Sequence, residues 1–417
     1  MSERESDEDV AARPVVKLRP GRGRRLAAGT PWVYADEIAM DRRTKALPPG
    51  TLARLSEGER VIGLVAINPM SQIAGRLIDL DAEACVDAAW FAARLRGALA
   101  MRTTLAVGDG AILAPQHHRL VHAEGDGLPG LVIDRFGDAV VIQPNAAWID
   151  RRLDALIGGL DSVLETPAEV IVVNGQSRVR RLEGLEERLE VVRGRLDGPV
   201  PVALSGAIYL ADLVAGQKTG LFYDQAPNHA LTARLAAGQD VLDVFAHVGG
   251  FGLACLGQST AQPARRVVAV DSSAPALALA EAGAERMGVG TAYETRRADA
   301  FEAMGAADAA GERFGVVICD PPAFAPHKAA VEAGLRAYEK TARLAARLVQ
   351  PGGWLVLCSC SGAVDAEAFR QACVKGMRAA GRSGALVHSG RAGPDHPQHM
   401  ALPEQGYLKA LFFRLHG

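Results

Sequence analysis

The chain is an α/β protein whose C-terminal half folds around a doubly wound parallel sheet, and three observations predict it. From about residue 197, four short valine-rich runs, "DVLDVF", "RVVAVD", "FGVVICD" and "GWLVLCS", alternate with Ala-rich helical stretches. Runs that are apolar on both faces and separated by helices belong to parallel strands covered on each side. Residues 14–83 instead carry strand-like runs ("LARLSE", "RVIGLVAI") between the turn signals "LPPG" and "NP", the texture of a small β-rich module. Between them, residues 84–196 combine the helical stretch "DAAWFAARLRGALAMRTTLA" with "GLPGLVIDRFGDAVVIQ", where Gly-Pro-Gly and Phe-Gly turns bracket two strands. A further helix and the strand "AEVIVVN" complete an α+β region. The expected domains are therefore 14–83, 84–196 and 197–417.

At 417 residues the chain is long enough for two or three cores, and 49% hydrophobic with 23% charged residues is the balance of a soluble globular protein. The opening "MSERESDEDV" is polar and acidic, so it reads as a disordered lead rather than a signal peptide. No apolar run reaches the roughly 18 residues a membrane helix needs. Six cysteines without an export signal point to reduced thiols in a cytoplasm. The net charge of −2 decides nothing about nucleic acid, but its distribution is uneven. From Arg13 to Arg25 stand six basic residues (Arg13, Lys17, Arg19, Arg22, Arg24, Arg25) and no acid. Such a segment can track a phosphate backbone or be a solvated basic stretch. "RVRR" at 178–181 is a weaker second cluster.

Ligands in doubly wound sheets lie beyond the carboxyl ends of the strands. The first strand runs into "LDVFAHVGGFGLACL", with Asp243 on the strand and Gly249, Gly250 and Gly252 in the turn before the next helix. Glycines there let backbone approach a ligand, and a helix start favours an anionic group. The spacing is not the G-x-G-x-x-G of dinucleotide sites, which counts against NAD. Asp271 ends "RRVVAVD", placed to accept from a ribose diol, and Asp299 in "RRADAF" falls beside an adenine. Each acid alone is an ordinary cap or loop residue. As an ordered set after successive strands, they fit S-adenosylmethionine. In "VVICDPPAF", two prolines hold Asp320 as a rigid acceptor for the edge of a base rotated out of its stack, and Phe324 can stack on that base. The plainer reading is a strand-ending turn with a core aromatic.

The run "GGWLVLCSCSG" ends a strand in Cys358 and Cys360. A metal would need two more ligands, and no C-x-x-C or paired histidine supplies them; His396 and His399 in "PDHPQH" come nearest. No metal is expected. Cys360, at the strand's end beside Ser361 and Gly362, is either a nucleophile or a buried thiol. Cys358 lies deeper along the same side and reads as packing. Cys319 should face the opposite side of the sheet.

In sequence order, these segments resemble a known family, the PUA-containing ribosomal RNA large-subunit methyltransferases that make 5-methylcytosine. "LRPGRGRRLAAGTPWVYADEI" resembles the opening of its PUA domain, and "EGDGLPGLVIDRFGD" its central-domain hairpin. "GQKTGLFYDQ", "FAHVGGF", "CDPPAF", "CSCSG" and "DHP…PEQGYLKA" follow in the family's order. The resemblance implies a Rossmann-like class I methyltransferase domain with a mostly parallel seven-stranded sheet, preceded by a PUA barrel and an α+β central domain. It implies cofactor contacts from Asp243, Phe245, Gly249, Gly250, Asp271, Asp299 and Asp320, with Lys218, Asp224 and Gln225 closing over the site. It assigns the nucleophile to Cys360, and not to Cys358. The chain departs from the family's usual residues at Ala246, His247 and Val248 in the first loop. It also has Ala323 where a lysine is common, and Ala226 in place of an arginine.

Cytosine C5 is a poor nucleophile, and a thiolate adding to C6 makes it enamine-like. The expected chemistry is thus S-adenosylmethionine-dependent C5 methylation, with Cys360 and Asp320 as catalytic residues. Phe324, Arg22, Arg24 and Arg25 are the expected RNA contacts. Two rivals stay open: exocyclic N-methylation by the Asp-Pro-Pro-Ala-Phe motif, which needs no thiol, and an RNA-binding protein without catalysis. Large-subunit ribosomal RNA is the expected partner, with neither membrane nor metal, and a homodimer is compatible with the sequence.

Overall fold

The computed structural model describes residues 10–106, 113–216, 220–257 and 262–416. It divides into two compact units, one of residues up to Asp197 together with Asp395–Pro403, the other of Gly198–Pro394 with Glu404 onward. Among the described residues, no helix is long and apolar enough to cross a membrane.

The first unit contains two five-stranded sheets. Strands β1 (Val15–Lys17), β2 (Trp32–Val33), β3 (Thr51–Glu57), β4 (Arg60–Ile67) and β5 (Gly75–Asp79) are ordered β1-β3-β4-β5-β2. β3 and β4 are the runs "LARLSE" and "RVIGLVAI", antiparallel and joined through Gly58 at φ +62°. Val16, Val33, Leu55, Val65 and Ile67 form their core. The second sheet, ordered β10-β9-β8-β7-β6, comprises β6 (His117–His122), β7 (Leu131–Phe136), β8 (Ala139–Pro144), β9 (Val170–Asn174) and β10 (Leu189–Arg193). β7 and β8 are the expected hairpin, turning at Gly137. Helices α1 (Ala88–Ala106) and α2 (Leu153–Asp161) cover this sheet, with Trp90, Phe91 and Trp148 mutually packed at ring separations of 5.2–6.1 Å. The "DHP" segment joins this unit: His396 Nδ1 lies 2.8 Å from Asp395 Oδ1, and Asp395 also accepts from the Arg119 backbone N–H.

The second unit opens with a hairpin, β11 (Val200–Leu204) and β12 (Ala207–Ala211), then builds a seven-stranded sheet. Its strands are β13 (Asp240–Val244), β14 (Arg266–Asp271), β15 (Tyr293–Arg297), β16 (Phe314–Cys319), β17 (Val349–Ser359), β18 (Gly384–Gly390) and β19 (Lys409–Leu415). The order is β15-β14-β13-β16-β17-β19-β18, parallel except for the pairs that β19 makes with β17 and β18. Strand order reverses at β13, whose neighbours are β14 and β16. That is the topological switch point, where the crevice outside the carboxyl ends of the strands takes ligands in folds of this kind.

Among the described residues, six helices cover the sheet: α3 (Ala226–Leu235), α4 (Gly250–Leu256), α5 (Ala274–Arg286), α6 (Ala300–Ala309), α7 (Val331–Leu348) and α8 (Ala366–Ala379). α7 is strongly one-sided, burying Gly334, Tyr338, Thr341, Ala342, Ala345 and Ala346 at helical spacing. Small residues bring α7 and α8 together: a Cβ on Gly376 would lie 2.3 Å from the Glu339 carbonyl.

Candidate active site

The loop after β13 departs from ordinary backbone geometry. Phe245, His247 and Gly249 all have positive φ, at 66°, 49° and 83°. Non-glycine residues hold such angles only where neighbours compensate the strain. The compensation here is a carboxylate: Asp271, at the end of β14, accepts from the backbone N–H of His247 at 2.9 Å and of Ser273 at 2.8 Å. Each of its oxygens keeps a second lone pair for a ligand hydroxyl.

The glycines behind this loop are filled by protein. A Cβ at Gly249 would meet Tyr293 Oη at 2.7 Å, and at Gly250 the ring of His229 at 3.0 Å. At Gly252 it would sit 2.9 Å from Val267 and 3.1 Å from an Asp243 oxygen. Their role visible here is to seat α4 against the sheet, and two of their N–H groups are spent inside the protein, that of Gly249 on the Ala246 carbonyl at 2.8 Å and that of Gly252 on Asp243. Asp243 itself is 1% exposed, accepting from Gly252 N–H at 2.8 Å through Oδ2, while Oδ1 has no hydrogen-bond partner among the described residues. Burial, reinforced by Asp320 and Asp271, pushes its carboxyl up to about 8, although the Gly252 hydrogen bond opposes the shift.

Asp299 is exposed and caps α6, its Oδ1 accepting from Phe301 and Glu302 N–H. Three rings gather between these acids. Phe245 meets Phe301 and Phe324 edge-on at 6.4 and 6.2 Å, and Phe301 stacks with Phe324 at 6.4 Å. Phe324 also packs on Tyr338 at 4.9 Å, so much of its ring is committed to protein.

Asp320, just beyond β16, is oriented by a relay from the Tyr223–Leu235 region. Asn228 Nδ2 donates to Gln225 Oε1 at 2.6 Å, and Gln225 Nε2 donates to Asp320 Oδ2 at 2.9 Å. Asn228 and Gln225 are both buried. Beside them, Tyr407 donates its hydroxyl to Asp224 Oδ2 at 2.5 Å.

Alternation gives Cys358 and Cys360 the same side, and what separates them is depth. Cys358 is 1% exposed, and burial pushes its thiol well above the ordinary range. Cys319 is also fully buried, but in the core shared with α7 and α8, where burial again raises the thiol. Cys360, one residue past β17, is partly exposed, with Sγ 3.8 Å from the Pro321 carbonyl. The turn that carries it is pinned from beneath. Tyr338 Oη lies 2.8 Å from both the Ser359 and Ser361 hydroxyls, and Ser361 Oγ accepts from Ala325 N–H at 3.0 Å.

One crevice edge therefore brings together Asp243, Phe245, Gly249, Gly250, Asp271, Asp320, Gln225, Phe324 and Cys360, with Asp299 at its margin. Lys218 lies outside the described residues. Arg22, Arg24 and Arg25 belong to the first unit; all are exposed, Arg22 3.9 Å from Asp36 and Arg25 4.6 Å above the Tyr34 ring. Phe301, Asn228, Tyr338, Tyr407 and Lys409 escaped sequence reasoning. Tyr407 and Lys409 stand in the quoted string "PEQGYLKA" without a role of their own, and the others look like ordinary helix residues, so only distant partners reveal them. Among the described residues, no group of three or more His, Cys, Asp or Glu side chains could hold a metal ion.

A cofactor at this crevice fits the residues present: the Asp271 carboxylate with a spare lone pair on each oxygen, and flanking aromatic faces. Comparison with known proteins agrees. A profile of S-adenosylmethionine-dependent methyltransferases matches residues 191–414, and one of a PUA-like domain matches 16–80. A ribosomal RNA large subunit methyltransferase I from Shewanella denitrificans is 32% identical over 96% of this chain and 99% of its own length. One from Salmonella arizonae is 33% identical over 96% and 98%. A candidate SAM-dependent methyltransferase from Streptococcus mutans shares the fold, with a TM-score of 0.77 at 16% identity, covering 96% of this chain and all of that one. S-adenosylmethionine is accordingly the cofactor. With more than half of the chain inside the methyltransferase profile and relatives 32% identical over nearly its full length, the chain belongs to the S-adenosylmethionine-dependent methyltransferases, in the family of ribosomal RNA large subunit methyltransferase I.

Proposed function

We propose that this protein methylates C5 of a cytosine in large-subunit ribosomal RNA, with Cys360 as the nucleophile. One observation carries the reading: Cys360 Sγ lies against the Pro321 carbonyl, so thiol and Asp320 carboxylate share one crevice edge. The names of the relatives and the PUA-like match support ribosomal RNA as the substrate, which also makes the cytoplasm the place of action.

In this reading the Cys360 thiolate bonds to C6 and shifts the 5,6 electron pair toward C5. S-adenosylmethionine, when bound, supplies the electrophilic methyl group that C5 takes up. Asp320, held by Gln225, accepts the C5 proton. The carbon–sulfur bond then breaks, the 5,6 double bond re-forms, and the thiolate returns. Asp271 and Asp299 hold the nucleoside part of the cofactor, Asp243 and the N–H groups of Gly249 and Gly250 shape the loop, and Phe245 packs beside it. Gln225 closes over it. Phe324 presents its free edge to the target base, and Arg22, Arg24 and Arg25 contact RNA phosphates.

The test is Cys360→Ala assayed on unmodified ribosomal RNA with labelled cofactor, where methyl transfer should disappear. Full activity removes the nucleophile assignment. RNA containing 5-fluorocytosine should trap wild-type protein as a stable adduct. Methyl transfer without an adduct would instead favour exocyclic N-methylation by the Asp-Pro-Pro-Ala-Phe motif. Failure to bind S-adenosylmethionine in calorimetry would favour an RNA-binding protein without catalysis.

A further inference from the structure

Strand β17 ends at Ser359, and directly across the antiparallel ladder β19 begins at Lys409. The Lys409 side chain is buried, at 7% exposure. Its Nζ donates to the carbonyls of Ser361 and Val364, each at 2.7 Å. Both carbonyls belong to the turn that immediately follows Cys360. Among the described residues no carboxylate forms an ion pair with this ammonium. Burying an ammonium is costly unless negative charge or strong acceptors meet it. Two carbonyl dipoles meet part of that need and leave the third N–H without an acceptor among the described residues.

We propose that Lys409 is the positioning residue that keeps Cys360 as a thiolate, its fixed charge stabilising the anion while its two hydrogen bonds hold the turn. The proposal rests on the reading of Cys360 as the nucleophile. Burial alone drives Lys409 toward its neutral form, whereas Cys360 and Asp365 favour the charged one. The other titratable groups facing this turn are Tyr338 from α7, Cys358 on β17, Asp320 after β16, Asp365 before α8, and Tyr407 with Asp224 beside Gly362. Tyr338 and Cys358 are held protonated by burial, and the carboxylates oppose a thiolate. The cation in the set is Lys409, and a neighbouring lysine is a recognised means of lowering a thiol's pKa.

The experiment follows alkylation of Cys360 by iodoacetamide against pH, resolved by peptide mass spectrometry in the full chain without RNA. The wild-type midpoint should lie below the ordinary thiol value of about 8.5. Lys409→Met should raise it by about one unit and slow alkylation at pH 7 about tenfold, and Lys409→Arg should bring it back. An unchanged midpoint in folded Lys409→Met overturns the proposal. So does a midpoint that Lys409→Arg fails to lower, since a shape role rather than charge would then explain the loss. Should Lys409→Met not fold, the wild-type profile decides: a midpoint at or above the ordinary value overturns the proposal. Cys360→Ala assayed for methylation in parallel keeps the two claims apart. Full activity there removes the nucleophile, while the alkylation profile still judges Lys409.

Discussion

Replacing Asp243 with asparagine should change how the protein's stability depends on pH. The carboxyl is buried with one oxygen lacking a partner among the described residues, and burial pushes it up to about 8 from its ordinary 3.8. The folded state therefore binds a proton that the unfolded state has already lost. Stability falls as pH rises from the unfolded value toward the folded one, and levels off above it. At about 1.36 kcal/mol per pH unit, the wild type should lose ~3 kcal/mol between pH 5.5 and 8 from this group alone. For a unit of roughly 200 residues, that is about 6–12 °C in Tm. Asparagine still accepts from Gly252 N–H through its carbonyl, but its amide occupies the site where Oδ1 has no partner. That cost, about 1–3 kcal/mol, does not vary with pH. The slope is consequently the readout. Melting curves of ligand-free wild type and Asp243→Asn, recorded from pH 5.5 to 9, should converge or cross as pH rises and run parallel above about 8. Curves parallel throughout the lower range would mean an ionised Asp243 and refute the reasoning.

Two further substitutions probe the crevice. Gly249→Ala forces a side chain into φ +83° and onto Tyr293 and Leu253 at 2.7 and 2.9 Å. It should cost about 2–4 kcal/mol in denaturant unfolding, and weaken S-adenosylmethionine binding at least tenfold by calorimetry; wild-type values for both would contradict the loop geometry. Cys358→Ala, at a site 1% exposed, should lower stability by about 1 kcal/mol yet retain methyl transfer on ribosomal RNA. A folded Cys358→Ala protein without activity would move the catalytic thiol one turn of the pleat inward.

Much of the fold was legible because burial on both faces leaves a plain signature. β13, β14, β16 and β17 coincide with the four valine-rich runs, and their order places the acids and glycines at one edge. Strands without that burial carried no comparable signal. β15 reads "YETRR" at a sheet edge, and β18, "GALVHSG", is exposed along nearly all its length. Nothing local showed that Asp395–Pro403 joins the first unit, since its ties to β6 span a separation of 276 residues.

The site divides in the same way. The residue types at the strand ends, read in order, were enough for the cofactor class, because a nucleoside cofactor demands acids and glycines at those places, while the family came from the resemblance of whole strings along the chain. Which of them double as structural acceptors was decided by tertiary structure. Asp271 secures a strained loop and Asp299 caps a helix, roles that depend on where neighbouring backbone N–H groups point. Tyr338 and Lys409 belong to the same group. Their partners lie 21 to 48 residues away, and only strand register and helix rotation bring a hydroxyl and an ammonium beneath the Cys360 turn. A hydrogen bond needs positions accurate to a few tenths of an ångström, and a one-dimensional pattern does not carry that precision.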